Sequence, residues 1–341
     1  MQQTPCQAQA LKAFELYVDS HFSEDLVTGA SRHHQFLHTM HTTGFSLSAP
    51  TPESIRRYTD LWLPLVNEHR DAQLIPPPDI AWLWHCHRLA PYRYLDYVTK
   101  CFGATLEARP PFAVQLGGRS EDEHSTQAMW AAAYPEETFF VTHGPNGPPV
   151  CQPGPAIGML EGYNLPAACE RQSSFLWQVS SAAFEETQFI VNGQTNYYKF
   201  LCLRKFAPAD TIIVPTYQID LMWHTHILAS ISGYRRDCTA IMGKMLSHDD
   251  SLNDRSEDSV LNTSFESTCA LWMQQYNERY PVPGSIHLKP IPRLLLFSSI
   301  LLMMFLLFSL LTLLALLSLS RCWYCHLLAR TTDCQCCQLM L

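Results

Sequence analysis

Apolar residues recur at helical spacing along most of this chain, and polar or proline-rich stretches interrupt them at regular intervals. From Ala10 the positions Leu11, Phe14 and Val18 fall on one helical face, and a second helix is expected over residues 26–40. Thr51, Pro52 and Glu53 read as a helix start: a capping hydroxyl, proline at the first helical position and an acid in the first turn. That helix should bury Tyr58, Leu61, Trp62, Leu65 and Val66. Pro76, Pro77 and Pro78 force an extended approach, after which Asp79 is placed to cap a helix running through Trp84 and His87 towards Tyr97, with Gly103 ending it. Ser120 and Glu123 have capping-box spacing ahead of a helix that carries Trp130, and Phe139, Phe140 and Val141 suggest a short strand. Prolines and glycines over residues 144–166 break any regular element.

The pattern then starts again. Helices are expected over residues 175–189 and 194–204, Val214 and Pro215 lead into another apolar helix, and Gly243 closes it as Gly103 closed the first. A polar loop follows at residues 247–251, then a last helix over 260–280, stopped by Pro281, Pro283 and Gly284. Beneath this periodicity lies a duplication. Trp84-His85-Cys86-His87 and Trp223-His224-Thr225-His226 share a Trp-His-x-His core, an Ile four places before the Trp, and a Leu two places after the second His. Tyr58 and Tyr198 precede their motifs at similar distances, and Trp130 with Tyr134 is echoed by Trp272 with Tyr276. The separation stays near 140 residues, about one domain length. The fold class is therefore mainly α: two pseudo-repeated helical units packed on each other, residues 8–143 and 167–284, joined by the connection at 144–166.

A different pattern ends the sequence. Residues 294–320 contain no charge and are dominated by Leu, Phe, Met and Ile. This run exceeds the roughly 20 residues that cross a bilayer core, so it predicts one C-terminal transmembrane helix. Only a short segment, residues 321–341, follows it, which is the arrangement of a single-pass tail anchor with the repeats on the cytosolic side. Lys289 and Arg293 balance Arg321 and Arg330, so flanking charge does not choose an orientation. Under the cytosolic reading the sequon at Asn262 is unused.

Composition changes this picture in two places. The net charge of −8 and the lack of any Lys/Arg cluster argue against nucleic acid, which leaves a lipid bilayer and an undetermined protein as partners. The 13 cysteines fall into a thin scatter through the repeats, read as reduced thiols, and a crowd at Cys322, Cys325, Cys334, Cys336 and Cys337. Cys322 and Cys325 are candidates for S-acylation beside the membrane; Cys322 to His326 also has haem-attachment spacing.

The candidate chemistry is histidine. His33, His34, His38 and His41 crowd one helix without thiol or carboxylate ligands at finger-like spacing, and are read as packed or solvated. The motif residues Trp84, His85, His87, Trp223, His224 and His226 admit two readings. One is a zinc or iron site drawing on His224, His226, His248, Asp249 and Asp220. On a helix, however, residues two apart point about 200° from each other, so one His-x-His cannot chelate one ion. Asp220 and His224, one turn apart, make a better pair, and repeat one has Ala81 where repeat two has Asp220. The other reading is a polar–aromatic layer in which each histidine bonds a backbone carbonyl, with no cofactor. No phosphate loop, nucleophile elbow or HExxH pattern is present, so no reaction is assigned.

At these residues the chain resembles the glycine-rich domain-containing protein family of plants, fungi and protists. The resemblance rests on residues 77–89, 171–175, 223–226 and 248–250, and spans roughly residues 25–284. It implies a domain of unknown biochemical function, linked in plants to development and stress. The sequence departs from the plant members in carrying a hydrophobic stretch in place of a glycine-rich region, so RNA binding proposed for that region does not transfer. Two functions remain: a membrane-anchored, cytosol-facing binding or scaffolding module, or a metal-dependent enzyme with a His/Asp site in repeat two.

Overall fold

Helix starts are where this sequence states its structure most directly. In the computed structural model, which describes residues 17–118, 120–141, 159–160, 162–208, 210–249, 256 and 258–286, most helix caps are short polar side chains. Asp25 accepts from Thr28 N at the head of α1 (Leu26–Thr42), and the Thr28 side chain together with this backbone bond holds its carboxyl below the usual range. Thr51 caps α2 (Pro52–Arg56), which passes through a π-helical stretch, Arg57–Trp62, into α3 (Leu63–Glu68). After α4 (Pro78–Arg88) and α5 (Pro91–Phe102), Ser120 and Glu123 close a complete capping box on α6 (Glu121–Ala133).

A two-stranded hairpin, β1 (Met159–Leu160) with β2 (Tyr163–Asn164), opens the second half and leads into α7 (Leu165–Gln178), capped by Asn164. Then come a 3₁₀ turn, Ala182–Glu185, and α8 (Thr187–Phe206). The second half ends with α9 (Tyr217–Ala229), α10 (Ile231–Met242) and α11 (Val260–Tyr276). Gly103 and Gly243 end α5 and α10 at φ 68° and 83°, a left-handed conformation that costs glycine nothing.

Several expected boundaries shift. The helix of the first motif does not run to Tyr97: it stops at Arg88, and Pro91 begins a separate helix. Repeat two breaks at the same place with Ser230 as the new cap, so proline alone is not the cause. The helix expected over 175–189 ends at Gln178, and its tail becomes the 3₁₀ turn. No strand forms at Phe139; the carbonyls of Thr138 and Phe139 accept from the Arg57 guanidinium at 2.5 and 2.6 Å instead of joining a ladder. The connection expected to be irregular holds the hairpin, turned through Gly162. Asp79 does not cap α4: buried, it pairs with Arg57 at 3.1 Å.

The two halves share one hydrogen-bond frame. Tyr58 OH meets His87 Nδ1 at 2.9 Å, and Tyr197 OH meets His226 Nδ1 at 3.2 Å. Trp84 Nε1 donates to Tyr94 OH, which donates to Leu106 O; Trp223, Tyr234 and Leu246 repeat the relay. Ile75 N donates to Thr126 Oγ1 as Val214 N does to Thr268 Oγ1. The core beneath this frame is aromatic, with Trp62, Trp82, Trp130 and Trp272 fully buried. Each such ring removes about 150–250 Å² from water, on the order of 4–6 kcal/mol of transfer free energy before conformational entropy is subtracted.

The repeats are also exchanged at their openings. Helix α1, from repeat one, packs on α8 and α9 of repeat two, while α7, from repeat two, packs on α4 of repeat one. The approach is close: a Cβ on Gly29 of α1 would stand 3.0 Å from the Thr225 methyl of α9. Cross-bonds reinforce it, among them Arg88 Nη1 to Leu228 O, Tyr92 OH to Met245 O, and Ile231 and Ser232 N–H to the Glu107 carboxylate. Residues 294–320 and 321–341, including Cys322 and Cys325, lie outside the described residues. Among the described residues no helix is long and apolar enough to cross a membrane.

Candidate functional site

The motif helices α4 and α9 pack against each other at the centre of the two repeats. On each, the two imidazoles of His-x-His diverge as helical geometry requires. One of each pair, His85 and His224, points inward to α1 and α7; the other, His87 and His226, points to the tyrosine of the frame. All four are buried.

His85 meets a histidine of its own repeat, which in turn reaches repeat two. His33 Nε2 lies 2.9 Å from His85 Nε2, and His33 Nδ1 lies 3.0 Å from Thr225 Oγ1. The Thr225 hydroxyl donates to Leu221 O at 2.7 Å, so its lone pair accepts the His33 Nδ1 proton. His33 Nε2 is then an acceptor and His85 Nε2 the donor: two neutral imidazoles bonded without added charge. Burial holds both well below the ordinary histidine range, and their mutual repulsion when charged adds to this for His33. Trp82 stacks on His85 at 5.1 Å and Phe112 on His33 at 4.8 Å. Beside them a narrow cleft is lined by Ala81, Trp84, His85, Arg88, Ala108 and Phe112. Arg88 lies over Trp84, 5.0 Å from the ring, and burial pushes its guanidinium down.

His224 occupies the equivalent place in repeat two with different neighbours. Its Nε2 is 2.8 Å from His248 Nε2 and 3.3 Å from Asp220 Oδ1, and His248 Nε2 is 3.9 Å from that same oxygen. The group is graded in exposure: the His224 side chain is 1% exposed, His248 6% and Asp220 18%. Burial lowers His224 to about 3 despite the Asp220 carboxylate, which acts in the opposite direction.

The outer histidines diverge too. His226 Nε2 donates to Asp237 Oδ2 at 3.2 Å, so Nδ1 accepts from Tyr197. Asp237 Oδ2 also accepts from Ser23 N and Oγ at 2.7 Å. Burial raises Asp237, but the bonds from His226 and Ser23 outweigh it and bring the carboxyl to about 2. Burial lowers His226, and Asp237 opposes that shift. His87 has Tyr97 near it, with ring centroids 5.4 Å apart, where His226 has Asp237; desolvation takes His87 to about 3.

The histidines thus bond other side chains, not backbone carbonyls as the layer reading expects; carbonyl bonding falls to Tyr94 and Tyr234. Trp84 and Trp223 are buried members of the frame. Of the residues grouped as possible metal ligands, Asp220, His224 and His248 converge within 4.8 Å. His226 faces away into the Tyr197–Asp237 chain, and Asp249 is exposed outside the group. Neighbouring His34, His38 and His41 do not distinguish His33 in the sequence. Its signal was the pair Arg32-His33-His34-Gln35-Phe36 and Arg171-Gln172-Ser173-Ser174-Phe175, which occupy matching turns of α1 and α7.

Comparison with known proteins agrees with the duplication. A family model described as glycine-rich domain-containing protein-like matches residues 7–97 and 93–232. Glycine-rich domain-containing protein 2 of Arabidopsis thaliana is 33% identical over 283 residues, covering 80% of this chain and 35% of that protein. Glycine-rich domain-containing protein 1 of the same plant is 32% identical over 276 residues, covering 78% and 33%. The chain therefore spans about a third of the length of these relatives. No solved structure matches it.

Proposed function

We propose, starting from a chain that belongs to the glycine-rich domain-containing protein family, that the paired repeats are a binding or scaffolding module held on the cytosolic face of a membrane by residues 294–320. The observation that carries this reading is the uncharged run itself, which is long enough to span a bilayer core. Two further features support it. Cys86, Cys101, Cys169, Cys202, Cys238 and Cys269 are all free thiols, as expected in a reducing compartment. The central histidines are engaged with one another and with tyrosines, which suits a rigid frame displaying its outer surface to a protein partner. Cys322 and Cys325 would add acyl chains beside the bilayer.

Alkaline carbonate extraction of cells expressing the full chain tests the proposal. The full chain should remain with the membranes, and a chain lacking residues 294–320 should be released. Mobility should not change on endoglycosidase treatment, because Asn262 faces the cytosol. Release of the full chain by carbonate would remove the anchor; a glycan on Asn262 would reverse the orientation.

A further inference from the structure

Three donor atoms in repeat two face a common point. Asp220 Oδ1, His224 Nε2 and His248 Nε2 form a triangle with edges of 2.8, 3.3 and 3.9 Å. The centre of that triangle is about 2.0 Å from each atom, which matches the roughly 2.0–2.2 Å of zinc–imidazole and zinc–carboxylate bonds. We infer that repeat two binds one divalent first-row transition ion through Asp220, His224 and His248.

The supporting elements come from both levels of structure. Asp220 and His224 are one turn apart on α9, which fixes their shared face without any loop. His248 arrives from the polar segment after α10, and its approach is set by Trp223, whose ring centroid is 4.9 Å away edge-on. The outward gradient of exposure, from His224 to Asp220, leaves the carboxylate side reachable by water. Three protein donors and a solvent-facing fourth position describe an ion that still holds a water, not a sealed structural site. Two imidazoles and one carboxylate suit zinc or ferrous iron and are poor ligands for calcium or magnesium, which prefer all-oxygen shells.

One feature limits the affinity. His224 Nδ1 is buried with no hydrogen-bond partner among the described residues, and Phe175 packs on that ring at 4.4 Å. Ligating histidines ordinarily donate this proton to an acceptor that orients the ring and raises its basicity; lacking one costs about 10–100-fold in metal affinity. The site should therefore be weaker than zinc centres with a carboxylate behind each histidine. The inference does not depend on membrane attachment.

The test is metal binding by the detergent-solubilised full chain, stripped with chelator and titrated with Zn²⁺ and separately with Co²⁺. Wild type should bind one more equivalent than His248→Ala, and Asp220→Asn should bind it at least tenfold more weakly. Comparison with these variants removes any contribution of the cysteines near the C-terminus, which all three share. The Co²⁺ component lost in His248→Ala should show visible d–d bands without a sulfur charge-transfer band. Asp249→Asn, outside the triangle, should bind as wild type does. Asp220 is part-exposed and His248 lies on the segment after α10 outside the helical core, and circular dichroism verifies folding. Equal stoichiometry and affinity in wild type, His248→Ala and Asp220→Asn would overturn the inference.

Discussion

Repeat one and repeat two hold the same frame and fill it with opposite chemistry. The Tyr–His bond, the Trp–Tyr–carbonyl relay and the Thr-to-backbone bond recur in both. Around the inner histidine, Asp220 and His248 stand in repeat two where Ala81 and Ala108 stand in repeat one, and these alanines line the cleft. Around the outer histidine, Asp237 replaces Tyr97. At the edge of the frame the relation inverts. Repeat one buries an ion pair, Arg57–Asp79, where repeat two has a part-buried neutral amide pair, Asn196 to Gln218 at 3.0 Å. Repeated bonds specify the fold, so they tolerate no change; positions that only neighbour them are free to acquire or lose ligands.

The largest test of this contrast is acidification. His33, His85, His87, His224 and His226 all have folded values below the ordinary histidine range. The unfolded chain therefore binds more protons below pH 6.5. Stability from these groups is complete above pH 6.5 and is lost as pH falls towards the folded values, which are about 3 for His87 and His224. His87 and His224 each contribute about 1 kcal/mol per pH unit between the ordinary histidine value and their folded values, and the other three act in the same direction. Urea unfolding at pH 7, 6 and 5 should show a steep drop. A flat response would mean that the imidazoles are charged or hydrated in the fold.

Next in size is the buried pair. Arg57→Met strands the Asp79 carboxylate and should cost about 3–5 kcal/mol. Asn196→Ala strands only an amide oxygen and should cost about 1–3 kcal/mol. Equal shifts in urea midpoint would show that the ion pair is no more demanding than the amide pair. The sharpest effect on chemistry is expected from rebuilding repeat one, where Ala81 and Ala108 are both buried and larger polar side chains also cost stability. The double substitution Ala81→Asp with Ala108→His places the missing donors beside His85, on the lining of the narrow cleft. It should add a second equivalent of bound Zn²⁺; unchanged stoichiometry would show that the frame alone does not position ligands.

Much of this was legible along the chain, because caps and breakers act locally. Thr51, Ser120 with Glu123, Gly103 and Gly243 announced their roles through their own hydrogen bonds or φ angles. Asp79 misled because its spacing suits a cap, yet Arg57, 22 positions earlier, offers a charged partner that only packing reveals. The break between α9 and α10 carries no proline and was invisible to apolar periodicity, which continues across it. The Asp220–His224 pair followed from one helical turn, whereas the approach of His248 depends on how a loop folds back. His33 was hidden by company: three nearby histidines made a helix face look merely polar, and its true partners lie on two other helices.

The exchanged opening helices carry a consequence for how such a molecule comes apart. Stripped of α7, α4 would present its apolar flank to solvent, and the same holds for α9 without α1. Neither half closes its own interior, so a lone copy of the unit would be soluble only in reciprocal embrace with a twin. Fusing two copies into one polypeptide makes that embrace unimolecular, and leaves each half at liberty to drift in chemistry while its sibling keeps it folded.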